Sequence, residues 1–285
     1  MSAELRAPRE EDLTEVARLM SQTSLEPVQA DDVRRVWTSP GFDAASDARL
    51  DGDSYAQLED LGEGRIWIDV RGRPSEAILD WAEERASAKG HRLISGSWSS
   101  NEAILRELGR RGYALVRHSH RMAIGLGDST PEPVWPDGIE VRSFRPGDGR
   151  AFYEAQQETF VDAWEPVEET FENWSHWLLE TPSFEPELWF LALDGAETAG
   201  FAICHPRSGD PGTGSVRLLG VRRPWRRRGL GRALLLHAFA ELRRRGFGRA
   251  GLGVDAESLT GAHKLYESAG MHVEARFDIY EKTAA

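Results

Sequence analysis

Ser215-Val216-Arg217-Leu218-Leu219-Gly220-Val221, followed after Pro224 by Arg226-Arg227-Arg228-Gly229-Leu230-Gly231-Arg232, is the stretch that decides how this chain folds. Its first part is rich in β-formers, and Pro224 ends the strand because proline has no N–H to give to a ladder. Leu230, Leu234, Ala238 and Leu242 then recur at i+4, with Arg243, Arg244 and Arg245 in the last turn and Gly246 beyond them. That pattern is an amphipathic helix with a glycine stop. A glycine turn that opens a helix presents backbone N–H groups with no acceptor inside the helix, at the end where the helix dipole is positive, so anions bind there. Arginines entering the turn add fork-shaped contacts to phosphate oxygens, and Gly229 and Gly231 let the backbone approach without a Cβ in the way.

Spacing separates three anion-binding loops. The P-loop needs G-x-x-x-x-G-K-[ST], and Arg232 and Ala233 occupy the places of its last two residues. The dinucleotide fingerprint G-x-G-x-x-G loses its third glycine to Leu234, although Asp255 imitates its ribose-binding acid; it stays as a distant rival. The pattern [Q/R]-x-x-G-x-[G/A] is met in full by Arg226, Gly229 and Gly231. Here the chain resembles the GCN5-related N-acetyltransferases, the GNAT superfamily, whose loop binds the pyrophosphate of acetyl-CoA. The resemblance implies that the backbone of Leu219, Gly220 and Val221 pairs with the pantetheine arm, as an extra strand across a splayed sheet. It also implies that Arg226, Arg227, Arg228, Gly229, Leu230, Gly231 and Arg232 hold the pyrophosphate, and that one of Arg222, Arg223 or Arg227 reaches the adenosine phosphate.

A second cluster, Leu252 to Glu267, reads as strand, turn and helix. GNAT proteins commonly carry an asparagine after this strand and a Leu-Tyr pair in the helix; here Ser258 takes the asparagine's place beside the cofactor and Leu265-Tyr266 is kept. By that resemblance Tyr266 is the catalytic residue, its hydroxyl, of reference pKa ~10, bonding the thioester sulfur and protonating the departing thiolate. By periodicity alone, Ala262, Leu265, Tyr266 and Ala269 share a core-facing stripe. The tandem arrangement is most similar to that of mycothiol synthases, whose pattern has a glutamate where Ser215 stands and a substrate-contacting tyrosine where Gly253 stands. Both departures point away from that acceptor. Glu165, Asp162 and His205 are the remaining candidates for a general base, and none is assigned.

At 285 residues the chain is long enough for two domains. A formal net charge of −12 argues against nucleic acid as a partner, since duplex binding needs an extended basic face and the arginines of 222–228 are local. Cys204 is the single cysteine and sits in the apolar run Phe201-Ala202-Ile203-Cys204, which reads as a buried thiol in a reducing compartment. No run reaches the ~18 apolar residues of a membrane span, and the first ten residues lack a signal-peptide core. A cytoplasmic protein with no membrane partner is expected, and cysteine and histidine spacing offers no metal site.

The segment 127–138, with prolines at 131, 133 and 136, breaks the chain. Each side of it starts alike: Glu4-Leu5-Arg6-Ala7-Pro8-Arg9 with Asp12 matches Glu140-Val141-Arg142-Ser143-Phe144-Arg145 with Asp148 at one offset. The expected architecture is mixed α/β, with two tandem GNAT-like domains, each a central twisted sheet flanked by helices. The boundaries read 1–127 for a degenerate copy, 128–138 for a linker and 139–285 for a catalytic copy. The first copy has Val70-Arg71-Gly72-Arg73-Pro74-Ser75 in place of the paired glycines, and Leu108, or Glu107 with a shift of one residue, in place of Tyr266. A monomer with an internal pseudo-dimer follows. Phe160 to Pro166 with Glu168, Glu169, Phe171, Glu172, Trp174 and Trp177 reads either as an acidic, aromatic acceptor cover suited to a cationic amine, or as core with a wet face. The resemblance implies transfer of an acetyl or small acyl group from acetyl-CoA, without metal, to a primary amine of a small molecule. A protein or peptide N-acetyltransferase and a non-catalytic CoA-binding sensor are the alternatives.

Overall fold

The computed structural model describes residues 5–127, 130–164, 169–207, 209–258 and 261–283. Glu165, Pro166, Glu168, Leu259, Thr260 and part of the expected linker, Asp128 and Ser129, lie outside them. In chain order the elements are α1 (Leu13–Gln22), α2 (Ala30–Trp37), α3 (Ala44–Asp47), β1 (Ala48–Asp51), β2 (Ser54–Asp60), β3 (Arg65–Gly72), α4 (Glu76–Lys89), β4 (Arg92–Trp98), α5 (Glu102–Arg110) and β5 (Ala114–Gly125). There follow β6 (Ile139–Ser143), α6 (Gly149–Phe160), α7 (Phe171–Leu178), β7 (Trp189–Asp194), β8 (Glu197–Pro206), β9 (Thr213–Val221), α8 (Leu230–Arg244), β10 (Arg249–Asp255), α9 (Ala262–Ser268) and β11 (His272–Thr283).

The mixed α/β class is as expected, but two separate central sheets are not found. Among the described residues the strands form a single 11-stranded sheet in the order β1-β2-β3-β4-β11-β5-β10-β9-β8-β7-β6. The chain divides into two compact units, residues 1–119 with 275–285, and residues 120–274. The expected limits at 127 and 139 therefore differ from the observed ones, because β5 and β11 each contribute residues to both units.

In the first unit, β11 pairs antiparallel with β4 from Phe277↔Trp98 to Thr283↔Arg92. β3 and β4 run parallel only from Arg65↔Arg92 to Ile68↔Ser95. One face of this sheet packs Ile66, Ile68, Ile78, Leu93 and Leu108; a second cluster joins Val16, Leu19, Val33 and Tyr55. The i, i+3, i+4 spacing of Leu13, Val16, Ala17 and Met20 gives α1 the apolar stripe it buries there.

In the second unit, β6, β7, β8 and β9 are successively antiparallel, and β9 then meets β10 in parallel. That pairing covers only Thr213↔Arg249, Gly214↔Ala250 and Ser215↔Gly251. Beyond the Ser215 row the two strands part, leaving Val216 to Val221 paired with β8 alone. A bulge lies in the same stretch: Ile203 opposes Leu218 while Cys204 opposes Val216, so Arg217 is an extra residue on β9, and an insertion of this kind bends the strand that carries it. A largely antiparallel sheet is not the doubly wound parallel sheet of dinucleotide enzymes, and that rival falls. Phe152, Trp174, Trp189, Phe201 and Ile203 pack beneath α6 and α7. Ala202, Cys204, Val216, Leu234, Phe239 and Leu252 form the core on the α8 face. Cys204 is buried there as expected, and burial alone pushes its thiol pKa up. Trp135 of the expected linker packs against this second core, its ring 5.6 Å from that of His237 on α8.

Gly220 shows how tightly β9 is held from the α6 side. A Cβ there would lie 2.5 Å from Phe201 Cε1 and 2.6 Å from Thr159 Oγ1. Phe201 is fully buried and has nowhere to retreat. Gly220→Ala is expected to cost about 1–3 kcal/mol by overpacking, read as a lower midpoint in urea with an unchanged slope.

Candidate active site

The site is assembled where β9 ends and α8 begins. A short 3₁₀ turn, Arg223–Trp225, carries the chain from the strand and buries Trp225, whose Nε1 donates to Asp194 at 2.8 Å. Two residues of the loop then take the left-handed conformation, Arg227 at φ 65° and Gly229 at φ 86°. The second is the N-cap of α8, where glycine removes the steric cost. Arg227 carries that cost itself, so the loop's shape is imposed by its surroundings. Ala233 N–H is the first to find a helical acceptor, Gly229 O at 3.0 Å. Among the described residues no backbone carbonyl accepts from the N–H groups of Arg227 through Arg232. An open helix terminus of this kind binds anions.

The arginines divide into two sets. Arg226 turns inward: its Nε donates to Val221 O at 2.9 Å and an Nη to Asp162 at 2.8 Å. Arg223 binds the same carboxylate at 2.6 Å, and Arg222 is taken by Glu158 at 2.6 Å and Thr198 O at 2.9 Å. Hydrogen bonds from Arg223 and then Arg226 hold the Asp162 carboxyl at about 2, which removes it from the candidates for a base. Arg227 and Arg228 are exposed and Arg232 half-buried, and among the described residues none of the three has a carboxylate partner. Arg226 thus braces the loop, and the outward charge belongs to Arg227, Arg228 and Arg232. Arg228 also borders a cavity of about 220 Å³ lined by Pro136, Asp137, Ile139, Trp225 and Leu230.

Gly231 in the first turn of α8 is not required by the fold. A Cβ there would sit 3.5 Å from Leu265 Cδ2 and from Val221 Cγ2, an ordinary contact. Those neighbours show that α9 lies against the mouth of α8 and of β9. Tyr266, next to Leu265, is 8% exposed, and its hydroxyl makes no hydrogen bond to the described residues. Burial pushes its pKa up to about 12. Such a hydroxyl stays protonated at neutral pH. Full transfer of its proton to a thiolate of reference pKa ~8.5 runs uphill, which narrows the sequence-based role to hydrogen-bond donation as charge builds on sulfur. Ser258 closes a turn after β10, its N–H donating to Asp255 O at 3.2 Å and its carbonyl accepting from Gly261 N–H at 3.2 Å.

The acceptor side resolves differently from its sequence. Trp174 and Leu178 are buried and Phe171 packs beside them, so this part of the aromatic run is core and not a cleft wall. Glu169 stays near the surface of that core; burial raises its pKa, partly offset by Arg217 and by Asn173, whose Nδ2 donates to it at 3.0 Å. His205 is half-buried on β8 and bonds Pro206 O through Nδ1 at 2.7 Å.

The first unit repeats the local geometry but not the site. Arg6 and Asp12 form a two-pronged pair at 2.7 Å with Arg9 N–H on the same carboxylate. Arg142, Asp148 and Arg145 N–H do the same at 2.5, 2.9 and 2.6 Å. Tyr113 N–H returns to Leu108 O at 3.1 Å past left-handed Gly112, as Met271 N–H returns to Tyr266 O at 3.1 Å past Gly270. Leu108 is therefore the geometric counterpart of Tyr266. The N-terminus of α4 is already closed: Ser75 Oγ accepts from Ile78 N–H at 3.2 Å and donates to the Asp51 carboxylate at 2.6 Å. A carboxylate at that position repels a phosphate.

Residues 149–271 match the Acetyltransferase (GNAT) family model. The chain is 34% identical over 235 residues to the mycothiol acetyltransferase of Thermobispora bispora, covering 78% of this chain and 76% of that one. Among solved structures it is similar to a GCN5-related N-acetyltransferase from Sphaerobacter thermophilus, with TM-score 0.77, 32% identity, and coverage of 99% of this chain and 95% of that one. A tandem GNAT protein from the clavulanic acid biosynthesis pathway shares the fold at TM-score 0.72 and 15% identity, over 99% of each chain. At such identity and coverage the likeness is one of descent, and the chain belongs to the GNAT acetyltransferase family.

Proposed function

We propose that the protein transfers an acetyl group from acetyl-CoA to a primary amine of a small molecule, with the chemistry in the unit of residues 120–274. The observation that carries this reading is the parting of β9 from β10 beside the open N-terminus of α8. It leaves the backbone edge of Leu219, Gly220 and Val221 for an amide-bearing arm, and the N–H groups of 227–232 for the pyrophosphate that follows that arm. Arg227, Arg228 and Arg232 supply the positive charge, Arg227 being the one of the three adenosine-phosphate candidates that no carboxylate holds among the described residues. The amine nitrogen attacks the acetyl carbon, the C–S bond breaks, and Tyr266 donates a hydrogen bond to the sulfur as it gains charge. The name shared by the mycothiol acetyltransferase relatives supports a small-molecule acceptor over a protein.

Thiolate release from acetyl-CoA, followed colorimetrically with glucosamine, spermidine, phenethylamine and a lysine peptide in parallel, tests this. Release with any of the first three and little with the peptide is the expected result; release with the peptide alone would shift the reading to a protein acetyltransferase. The closed N-terminus of α4 adds a second expectation, that calorimetric titration finds one acetyl-CoA per chain. Two equivalent sites would refute a role for Asp51 and Ser75 in excluding phosphate.

A further inference from the structure

The parting of β9 and β10 begins at one row of residues that crosses three strands. His205 on β8 pairs with Ser215 on β9, and Ser215 pairs with Gly251 on β10. This is the last row in which β9 and β10 are joined, so it forms the floor of the gap. Side chains alternate along β8: Ala202 and Cys204 enter the core under α8, while Phe201 and Ile203 enter the core under α6 and α7. His205 continues the second series and faces the α6 and α7 side. Cross-strand partners share a face, which places Ser215 beside it.

That face is open next to the row. A Cβ on Gly253, the next residue of β10 on this side, would meet nothing within 4 Å, and at Gly251 it would meet Arg121 Nε at 3.3 Å. The imidazole is fixed in one tautomer. Pro206 O can only accept, so Nδ1 carries the proton of the 2.7 Å bond, and in the neutral ring Nε2 keeps its lone pair. Among the described residues Nε2 has no hydrogen-bond partner.

Resting on the transfer reading above, we infer that His205 is the general base, taking the proton of the acceptor amine onto Nε2, directly or through one water, at the floor of the gap between β9 and β10. The step balances: the amine N–H bond breaks as the nitrogen bonds the acetyl carbon, the proton passes to Nε2, and the C–S electron pair leaves with sulfur. Ser215 lacks a basic lone pair at neutral pH, so the base stands one strand away. Burial, and secondarily the charge of Arg217 on β9, keep the His205 pKa below its ordinary value against the opposing Pro206 hydrogen bond. Arg217 is the charged side chain whose field reaches the ring, and Arg121 of β5 stands over Gly251 in the same row. The ring therefore stays neutral, and able to accept, to a lower pH than a free imidazole does.

The test uses the whole chain with glucosamine, spermidine and phenethylamine, measuring kcat, kcat/KM from pH 5 to 9, and acetyl-CoA affinity by calorimetry. His205→Asn keeps an amide N–H in the Nδ1 position for Pro206 O but has no base. It is expected to lower kcat about a hundredfold, to erase the acid limb that the imidazole gives the profile, and to leave acetyl-CoA affinity within twofold. His205→Gln, which lacks the Nδ1 anchor, is expected to lose the same limb, so a folding defect in one variant is checked by the other. Wild-type rate and pH profile in either folded variant overturns the proposal. Retained acetyl-CoA binding separates its failure from failure of the transfer reading; a wild-type chain silent with all three amines removes both.

Discussion

Tyr266→Phe is expected to slow acetyl transfer about a hundredfold while leaving acetyl-CoA affinity almost unchanged. The change deletes one oxygen from a ring that is otherwise buried among Leu252, Val254 and Met271, so packing is conserved. The hydroxyl has no hydrogen-bond partner among the described residues, so its loss strands no other group and stability should hold. In the proposed mechanism, what disappears is a donor to a sulfur that acquires charge only as the C–S bond breaks. Donors aimed at charge that develops in the transition state typically contribute two to three orders of magnitude. Because the Tyr266 pKa is about 12, the wild-type rate should show no basic limb from this residue below pH 11. A Phe variant with wild-type turnover would remove Tyr266 from the mechanism and leave it a core residue.

Gly231→Asp is expected to move stability and binding in opposite directions. A Cβ at this position has room, glycine is a poor helix former, and an acid in the first turn favours the helix dipole, so the melting temperature should rise slightly. The same carboxylate stands among the N–H groups of 227–232 and repels a pyrophosphate. Charge-assisted contacts contribute about 1.5–3 kcal/mol each, so losing one or two of them weakens acetyl-CoA binding about a hundredfold. Acetyl-pantetheine, which has no phosphate, should be used equally well by both proteins. Gly231→Ala is the neutral control. Equal loss for acetyl-CoA and acetyl-pantetheine would place the pyrophosphate elsewhere.

Local rules made much of this site legible. The i+4 leucines and the terminal glycine of α8 are self-contained signals, and Gly246 indeed sits at φ 89° with Phe247 N–H returning to Leu242 O at 3.2 Å. The repeated Arg-x-x-Arg-x-x-Asp starts were readable because each closes its own ion pair within six residues. Spacing could not show where a side chain points: Arg226 satisfies the motif yet spends its guanidinium on Val221 and Asp162. Nor does a pattern mark the left-handed backbone of Arg227, since arginine has no preference for it. The face on which His205 lies depends on the register of β8 with β9 and on a bulge at Arg217, both set by pairing between distant residues. Phe171, Trp174 and Leu178 carried two readings in the sequence, and only their packing against Phe152 and Trp189 separates core from cleft.

The pairing of β11 with β4 bears on how the chain is made. Residues 1–119 leave the ribosome with the β4 edge bare, and the segment that covers it, from Phe277 to Thr283, is translated only after the whole of the second unit. An uncovered strand edge invites wrong partners, so the interval is a hazard that grows with any pause in elongation. The acetyltransferase unit, by contrast, has all of its own strands once residue 274 has emerged. Cutting at the proline-rich break would give a first fragment without its closing strand.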